Sequence, residues 1–276
     1  MTALVDDLTP AEHDPRLRWW REAIYVLAFY GVYSWIRNQF GSSGSFSSTS
    51  ASAVRNAERI IEVERAMGLF FEERLQAAFD GWSWFYWFWN VFYGSLHFVV
   101  TAGVMVFLYR RFPLRYQRFR TALAITTGLG LVGFSTFPLM PPRLLGAGPP
   151  YGATLTEYEF VDTLIVHGGL WSFDSGAMNA VSNQWAAMPS LHIAWALWCT
   201  IALAPVARSG LVRAGIIAYP ALTLFAVVVT ANHYWIDGLG GVVVLAVGMT
   251  GARRIVEHLP RTSSRAVREE IAVDRT

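Results

Sequence analysis

Six apolar segments, each long enough to cross a lipid bilayer, constrain this chain more than any other feature. A span takes roughly 20 residues, and the segments lie at about 19–36, 82–108, 119–140, 188–207, 211–231 and 234–252. In hydrocarbon every backbone N–H and C=O must be satisfied inside the protein, which leaves helices or a closed barrel. Continuous apolar runs of this length predict helices. The expected fold is therefore all-α, a polytopic membrane bundle with six transmembrane helices. Charge supports it: 15% of the 276 residues are charged and mean hydropathy is +0.34, where a soluble domain carries about 25% charge.

Other classes are excluded by the same counts. The single cysteine, Cys199, lies within an apolar run, so neither a disulfide framework nor a cysteine metal site is expected. All 22 basic residues are arginines, and they flank the apolar segments without forming one face, which argues against a nucleic-acid partner. Residues 1–15 are acidic and polar, unlike a cleavable signal peptide.

Between the first two segments, Gly41 to Ser52 reads as a flexible linker. Ala53 to Phe79 follows as a helical pattern, with Ile60, Ile61, Met67, Leu69, Phe70 and Leu75 set among Arg and Glu. It is too polar to span. It either lies in the membrane interface as an amphipathic helix or packs as a soluble helix on an outer loop. Three regions result: 1–80 with the tail, first span and interfacial helix, 81–253 with the main bundle, and 254–276 as a tail.

Arginines orient the bundle. With the loop ends numbered alternately, 16 arginines fall on one side and six on the other, and the loop from Arg110 to Arg120 contains no acid. By the positive-inside rule both termini are cytoplasmic. Arg143, His192 and His233 then share the outer face, together with the tryptophans that open the second segment (Trp82, Trp84, Trp87, Trp89).

Those three residues sit in the motifs that carry chemistry. In Asn232-His233-Tyr234-Trp235-Ile236-Asp237-Gly238, a histidine and a carboxylate stand four residues apart, one face of a helix. Asp237 can hold one ring nitrogen of His233 and leave the other free to attack or to move a proton. The same spacing suits a zinc pair, for which the outer face offers only His192 and His167 as further ligands. In Met188-Pro189-Ser190-Leu191-His192, Pro189 suits the first turn of a helix, Ser190 can cap it or donate a hydrogen bond, and the helix N-terminus favours a bound phosphate. In Pro141-Pro142-Arg143, the arginine fork suits phosphate oxygens, although an arginine at a helix end also reads as a snorkelling side chain. Tyr86, Asn90, Tyr93 and His97 recur at helical spacing on the second segment. That polar face either lines a headgroup pocket, with Tyr93 and His97 binding substrate, or makes interhelical hydrogen bonds. Gly238, Gly240, Gly241 and Gly248 predict close helix packing.

Together the motifs Pro141 to Leu145, Ala186 to His192 and Asn232 to Gly238 resemble the type-2 phosphatidic acid phosphatase superfamily over about residues 82–252. They are most similar to its inositol-phosphotransferase-like and inositol phosphorylceramide synthase-like branch. The resemblance implies His233 as the nucleophile that becomes a phosphohistidine, Asp237 as its orienting partner, and His192 as the acid that protonates the leaving alcohol. Arg143, Ser190 and helix N-terminal amides would hold the phosphate, with no metal or organic cofactor. It implies membrane lipids as partners: a phospholipid or polyprenyl phosphate donor, and a hydroxyl acceptor or water, at the outer face of a bacterial-type plasma membrane. Two cations of the phosphatase pattern are missing. A lysine seven residues before the first-motif arginine is here Thr136, and an arginine six residues before the third-motif histidine is Val227; Leu191 also replaces a glycine. These departures favour a phosphodiester donor, or a monoester gripped by other groups, and put a transferase marginally ahead of a phosphatase. The alternative from another class is a transporter or lipid-binding protein, but ionisable groups at one face and the absence of an inverted repeat count against it.

Overall fold

The computed structural model describes residues 17–40, 46–148, 152–170 and 183–258. The expected tail 1–15, residues 41–45 of the linker and residues 259–276 lie outside the described residues; the first part of the tail expected over 254–276 is instead the last turn of the final helix, which runs to His258. All described elements are helical: α1 (Trp19–Phe40), α2 (Phe46–Ala66), α3 (Glu72–Ala77), α4 (Ser83–Arg111), α5 (Pro113–Thr136), α6 (Thr163–His167), α7 (Leu191–Leu203), α8 (Gly210–Val229) and α9 (Trp235–His258). A 3-10 turn, Pro142–Leu144, carries the first motif, and Leu139 bridges to Ala186 as an isolated parallel pair.

Helices stand at all six expected places, but they are not equally suited to a membrane. Among the described residues, α4, α8 and the Trp235–Val256 part of α9 are long and apolar enough to cross one. The fourth segment, expected over 188–207, yields the 13-residue α7. At 1.5 Å per residue that is about 20 Å, against a hydrocarbon core of about 30 Å. The helix starts late because Ser190 is extended, and a turn over residues 204–206 ends it. α1 ends in Arg37-Asn38-Gln39 and α5 opens with Arg115, Arg118 and Arg120, so both are more polar than the three spans. α5 begins with Pro113 at its first position, where a missing N–H is harmless, and stops just ahead of Phe137-Pro138.

The amphipathic region departs from expectation. One helix over 53–79 is two, α2 and α3, parted at Gly68, whose φ of +70° is one that glycine adopts without steric cost. α2 also begins at Phe46, so residues 46–52 are helix and not linker. Its apolar face is covered by the protein: Ala53, Ala57, Ile60 and Ile61 share a core with Leu139, Met140, Leu145, Trp185 and Tyr234. Each large apolar side chain so buried contributes about 1.5–3 kcal/mol. The apolar stripe of α2 is thus packed against protein.

A second core joins α4, α5, α7 and α9 around Leu108, Phe119, Trp198 and Leu245, and the Trp198 indole donates to the Phe119 carbonyl at 2.9 Å. Here the glycines of α9 act as expected. A Cβ on Gly241 would stand 2.4 Å from the Ser190 carbonyl oxygen, and one on Gly248 2.2 Å from Thr126 Oγ1. Backbone contact between α9 and its neighbours therefore requires glycine at these two positions. Trp82, Trp84 and Trp87 are exposed around the start of α4, whereas Trp89 is half-buried.

Candidate active site

The α8–α9 turn delivers the central histidine. After Val229 the chain reverses through Thr230, Ala231 and Asn232, and the N–H groups of Asn232 and His233 both donate to the Val227 carbonyl, at 2.9 and 3.1 Å. Ala231 sits at φ +54°, a left-handed conformation that costs a non-glycine residue about 1–2 kcal/mol. It is held there by its own N–H to the Val228 carbonyl and by its carbonyl accepting from Arg143 N, both at 2.9 Å. His233 therefore precedes α9 by two residues. The i, i+4 pair forms across the helix start, not within the helix.

His233 Nδ1 lies 3.1 Å from Asp237 Oδ2, the same oxygen that accepts from Tyr234 N at 3.0 Å. Both side chains are buried. A carboxylate at Nδ1 keeps the proton on that nitrogen and leaves the lone pair on Nε2. Nε2 is 3.5 Å from Ser190 Oγ, and the His192 ring stands edge-on with its centroid 5.5 Å from that of His233. Ser190 occupies the N-cap position of α7, but its side chain makes no capping bond; its N–H donates to the Asp237 carbonyl at 3.0 Å. Pro189 falls one residue outside that cap, not in the first turn. Motifs two and three are thus joined by backbone as well as by side chains.

His192 is backed by α4. Tyr93 stacks on it at 4.5 Å and the His97 ring lies 4.2 Å away. His97 Nδ1 is 2.9 Å from the Tyr93 carbonyl, inside a π-helical turn, Phe92–Leu96. Such turns recur where a helix must aim side chains at a site. The polar stripe therefore divides. Tyr86 donates to the Gln76 carbonyl, and Asn90 donates to the Thr163 and Gly168 carbonyls at 2.9 and 2.8 Å. These two make structural hydrogen bonds, whereas Tyr93 and His97 meet His192. His167 stacks on Tyr86 at 4.9 Å.

Arg143 is 5% exposed, which removes the snorkelling reading. Its Nε donates to Asn232 Oδ1 at 3.0 Å, and its two terminal nitrogens donate to Asp162 and Gln184. Asp162 Oδ1 accepts from Leu164 N and Ile165 N, at 3.1 and 3.3 Å, capping α6.

Residues 58–251 match the model of the PAP2 superfamily. The chain belongs to that superfamily. Nothing among curated proteins or solved structures matches it. Membership makes this PAP2 protein an enzyme of the phosphatidic acid phosphatase type, a phosphatase or phosphotransferase with lipid phosphates as its substrate class.

Two positions of the PAP2 phosphatase pattern hold no cation, and the structure shows what fills them. Thr136 turns its hydroxyl back to the Val132 carbonyl at 2.8 Å, and Val227 lies in an apolar cluster with Ile193 and Val228. Asp162, Gln184, Glu64 and Glu72 escaped the sequence reading. Asp162 carried a usable signal, a capping residue just before the apolar run Thr163 to Val166. Gln184, Glu64 and Glu72 had none, because their partners are remote in sequence.

Proposed function

We propose that this PAP2 protein is an integral-membrane phosphotransferase that moves a phosphate-linked headgroup, inositol phosphate-like in its chemistry, between lipids through a phosphohistidine on His233. The observation that carries the reading is the His233 ring, held at Nδ1 by buried Asp237, with Nε2 turned toward Ser190 and His192. In the first step Nε2 attacks phosphorus, the bond to the donor lipid's oxygen breaks, and His192 gives that oxygen a proton. In the second step His192 takes the proton from an acceptor hydroxyl, whose oxygen attacks phosphorus while the N–P bond breaks. Ser190 Oγ and the first N–H groups of α7, which have no partner within the helix, suit the phosphate oxygens. Tyr93 and His97 form the wall behind His192 and are the nearest candidates to meet the headgroup.

Charge favours a diester donor. Arg143 is balanced by Asp162, and Thr136 and Val227 add no cation, so a singly charged phosphodiester suits the site better than a doubly charged monoester. We read the six helices at the expected segments as the spans, with cytoplasmic termini and the site at the outer face. The test supplies purified protein with lipids carrying phosphorus-32 in the headgroup phosphate and quenches in alkali, which spares phosphohistidine. Label is expected on wild type and His192→Ala but not on His233→Ala, and an added lipid alcohol should collect it. Release to water alone would make the enzyme a phosphatase. Label on His233→Ala equal to wild type would sink the mechanism.

A further inference from the structure

Two buried carboxyl groups are unused by this chemistry. Glu64 stands in the last turn of α2 and Glu72 opens α3, and neither is exposed at all. Both reach α9. Glu72 Oε1 accepts from Trp235 N at 3.1 Å, and Glu64 Oε1 accepts from Ile236 N at 3.3 Å. Glu72 Oε2 also accepts from Phe71 N at 2.9 Å, while Glu64 Oε2 is buried with no hydrogen-bond partner. A helix start leaves its first N–H groups unsatisfied. In α9 they are taken by Asp237, Glu72 and Glu64 in turn, at Tyr234, Trp235 and Ile236. This helix end is therefore closed to a phosphate, unlike that of α7.

We infer that Glu64 and Glu72 are positioning residues, a carboxyl clamp on the first turn of α9 that fixes the aim of His233; this rests on His233 being the nucleophile. The clamp grips the two residues that lie between His233 and its partner Asp237 on the far side of Tyr234. A rotation of that turn carries the Asp237 carboxylate away from Nδ1, and a shift of about 1 Å at reacting groups costs about 100-fold. The indole of Trp235 adds a third hold, donating to the Leu69 carbonyl at 3.0 Å. Two carboxylates this close require a proton. Burial, and then the charge of Glu72, push Glu64 up to about 9. The groups facing Glu64 are Glu72 from α3 and Asp237 and Tyr234 from the start of α9, while Arg65 is turned to the Phe70 and Tyr158 rings. The contribution of protonated Glu64 is full at low pH, declines as pH rises, and is gone above about 9, where the second charge sets the pair apart.

The test measures kcat, KM and hydrogen exchange over residues 232–240 in four variants of the full chain. Glu72→Ala and Glu64→Ala are expected to lower kcat by about 10- to 100-fold with KM changed less than about threefold, and to speed exchange at the start of α9. Glu72→Gln and Glu64→Gln restore an acceptor for the α9 amides and should recover most of the loss. Glu64→Gln should also lack the wild-type fall in activity above about pH 9. If an alanine variant fails to fold, the glutamine variants decide on the pH profile and exchange. Unchanged kcat and exchange in the alanine variants, or the same alkaline fall in Glu64→Gln, would overturn the clamp. Phosphohistidine label present while no variant moves sinks the clamp alone. Exchange that responds while His233 takes no label sinks the nucleophile reading and keeps the clamp.

Discussion

The two ends of the site are satisfied to different degrees. At His233 one ring nitrogen is bound and the other faces Ser190 and His192, the latter ring within 5.5 Å. At Arg143 all three guanidinium nitrogens donate to protein oxygens, and the backbone N–H is used as well. Two of those acceptors, Asn232 and the Ala231 carbonyl, belong to the turn that carries His233. The cation is thus built into the support of His233. A buried arginine prepaired with an aspartate is rigid and charge-compensated, and removing either partner of such a pair costs about 3–5 kcal/mol. One ring nitrogen of His233 is held only loosely, 3.5 Å from Ser190 Oγ, whereas the arginine is completely satisfied.

The largest effect comes from breaking the His233 end. Asp237→Asn keeps the shape of the carboxylate but presents an amide nitrogen as donor, so the wrong ring tautomer becomes stable. Turnover should fall by about 10²- to 10⁴-fold while phosphohistidine, once formed, still reaches acceptor. Single-turnover labelling with quench-flow measures the first step directly, and a loss below about tenfold would mean that Tyr234 N, not the imidazole, is what Asp237 serves.

The Arg143 end calls for a finer change. Asn is as good a helix cap as Asp, so Asp162→Asn keeps an oxygen on the α6 amides but turns an amide NH2 toward Arg143 in place of Oδ2, removing both its countercharge and that acceptor. We expect kcat/KM for a phosphomonoester lipid to rise about tenfold relative to a diester, about 1.4 kcal/mol. An unchanged ratio of the two substrates would show that the Arg143 charge acts on the turn alone and not on the phosphate.

What the sequence displayed follows the same division. The bundle was legible because apolar runs report burial directly, and the His233–Asp237 contact because it is local, four residues apart. Arg143 was located, yet its partners were not: Asp162 and Asn232 lie 19 and 89 positions away, and no spacing rule connects them. The helix of the fourth segment is shorter than its apolar run for a physical reason. Hydropathy over 188–207 ignores that Ser190 is extended, so the helix begins at Leu191. The packed face of α2 was ambiguous because an amphipathic stripe looks alike against lipid or protein. The core shared with Leu139 and Trp185 shows which residues cover that stripe.

The smallest expected effect separates two roles for Tyr93. Its ring stacks on His192 with planes 25° apart, a contact worth about 0.5–1.5 kcal/mol. Tyr93→Phe keeps the stack and deletes only the hydroxyl. If the ring merely steadies His192, kcat and KM should change less than about threefold, whereas Tyr93→Leu should lose about 2- to 10-fold in kcat. If the hydroxyl binds the headgroup, the order reverses in KM: Tyr93→Phe alone raises it, because a donor matched to a substrate oxygen is missing. Steady-state kinetics on the two variants therefore decide whether α4 contributes a wall to His192 or a contact to the lipid.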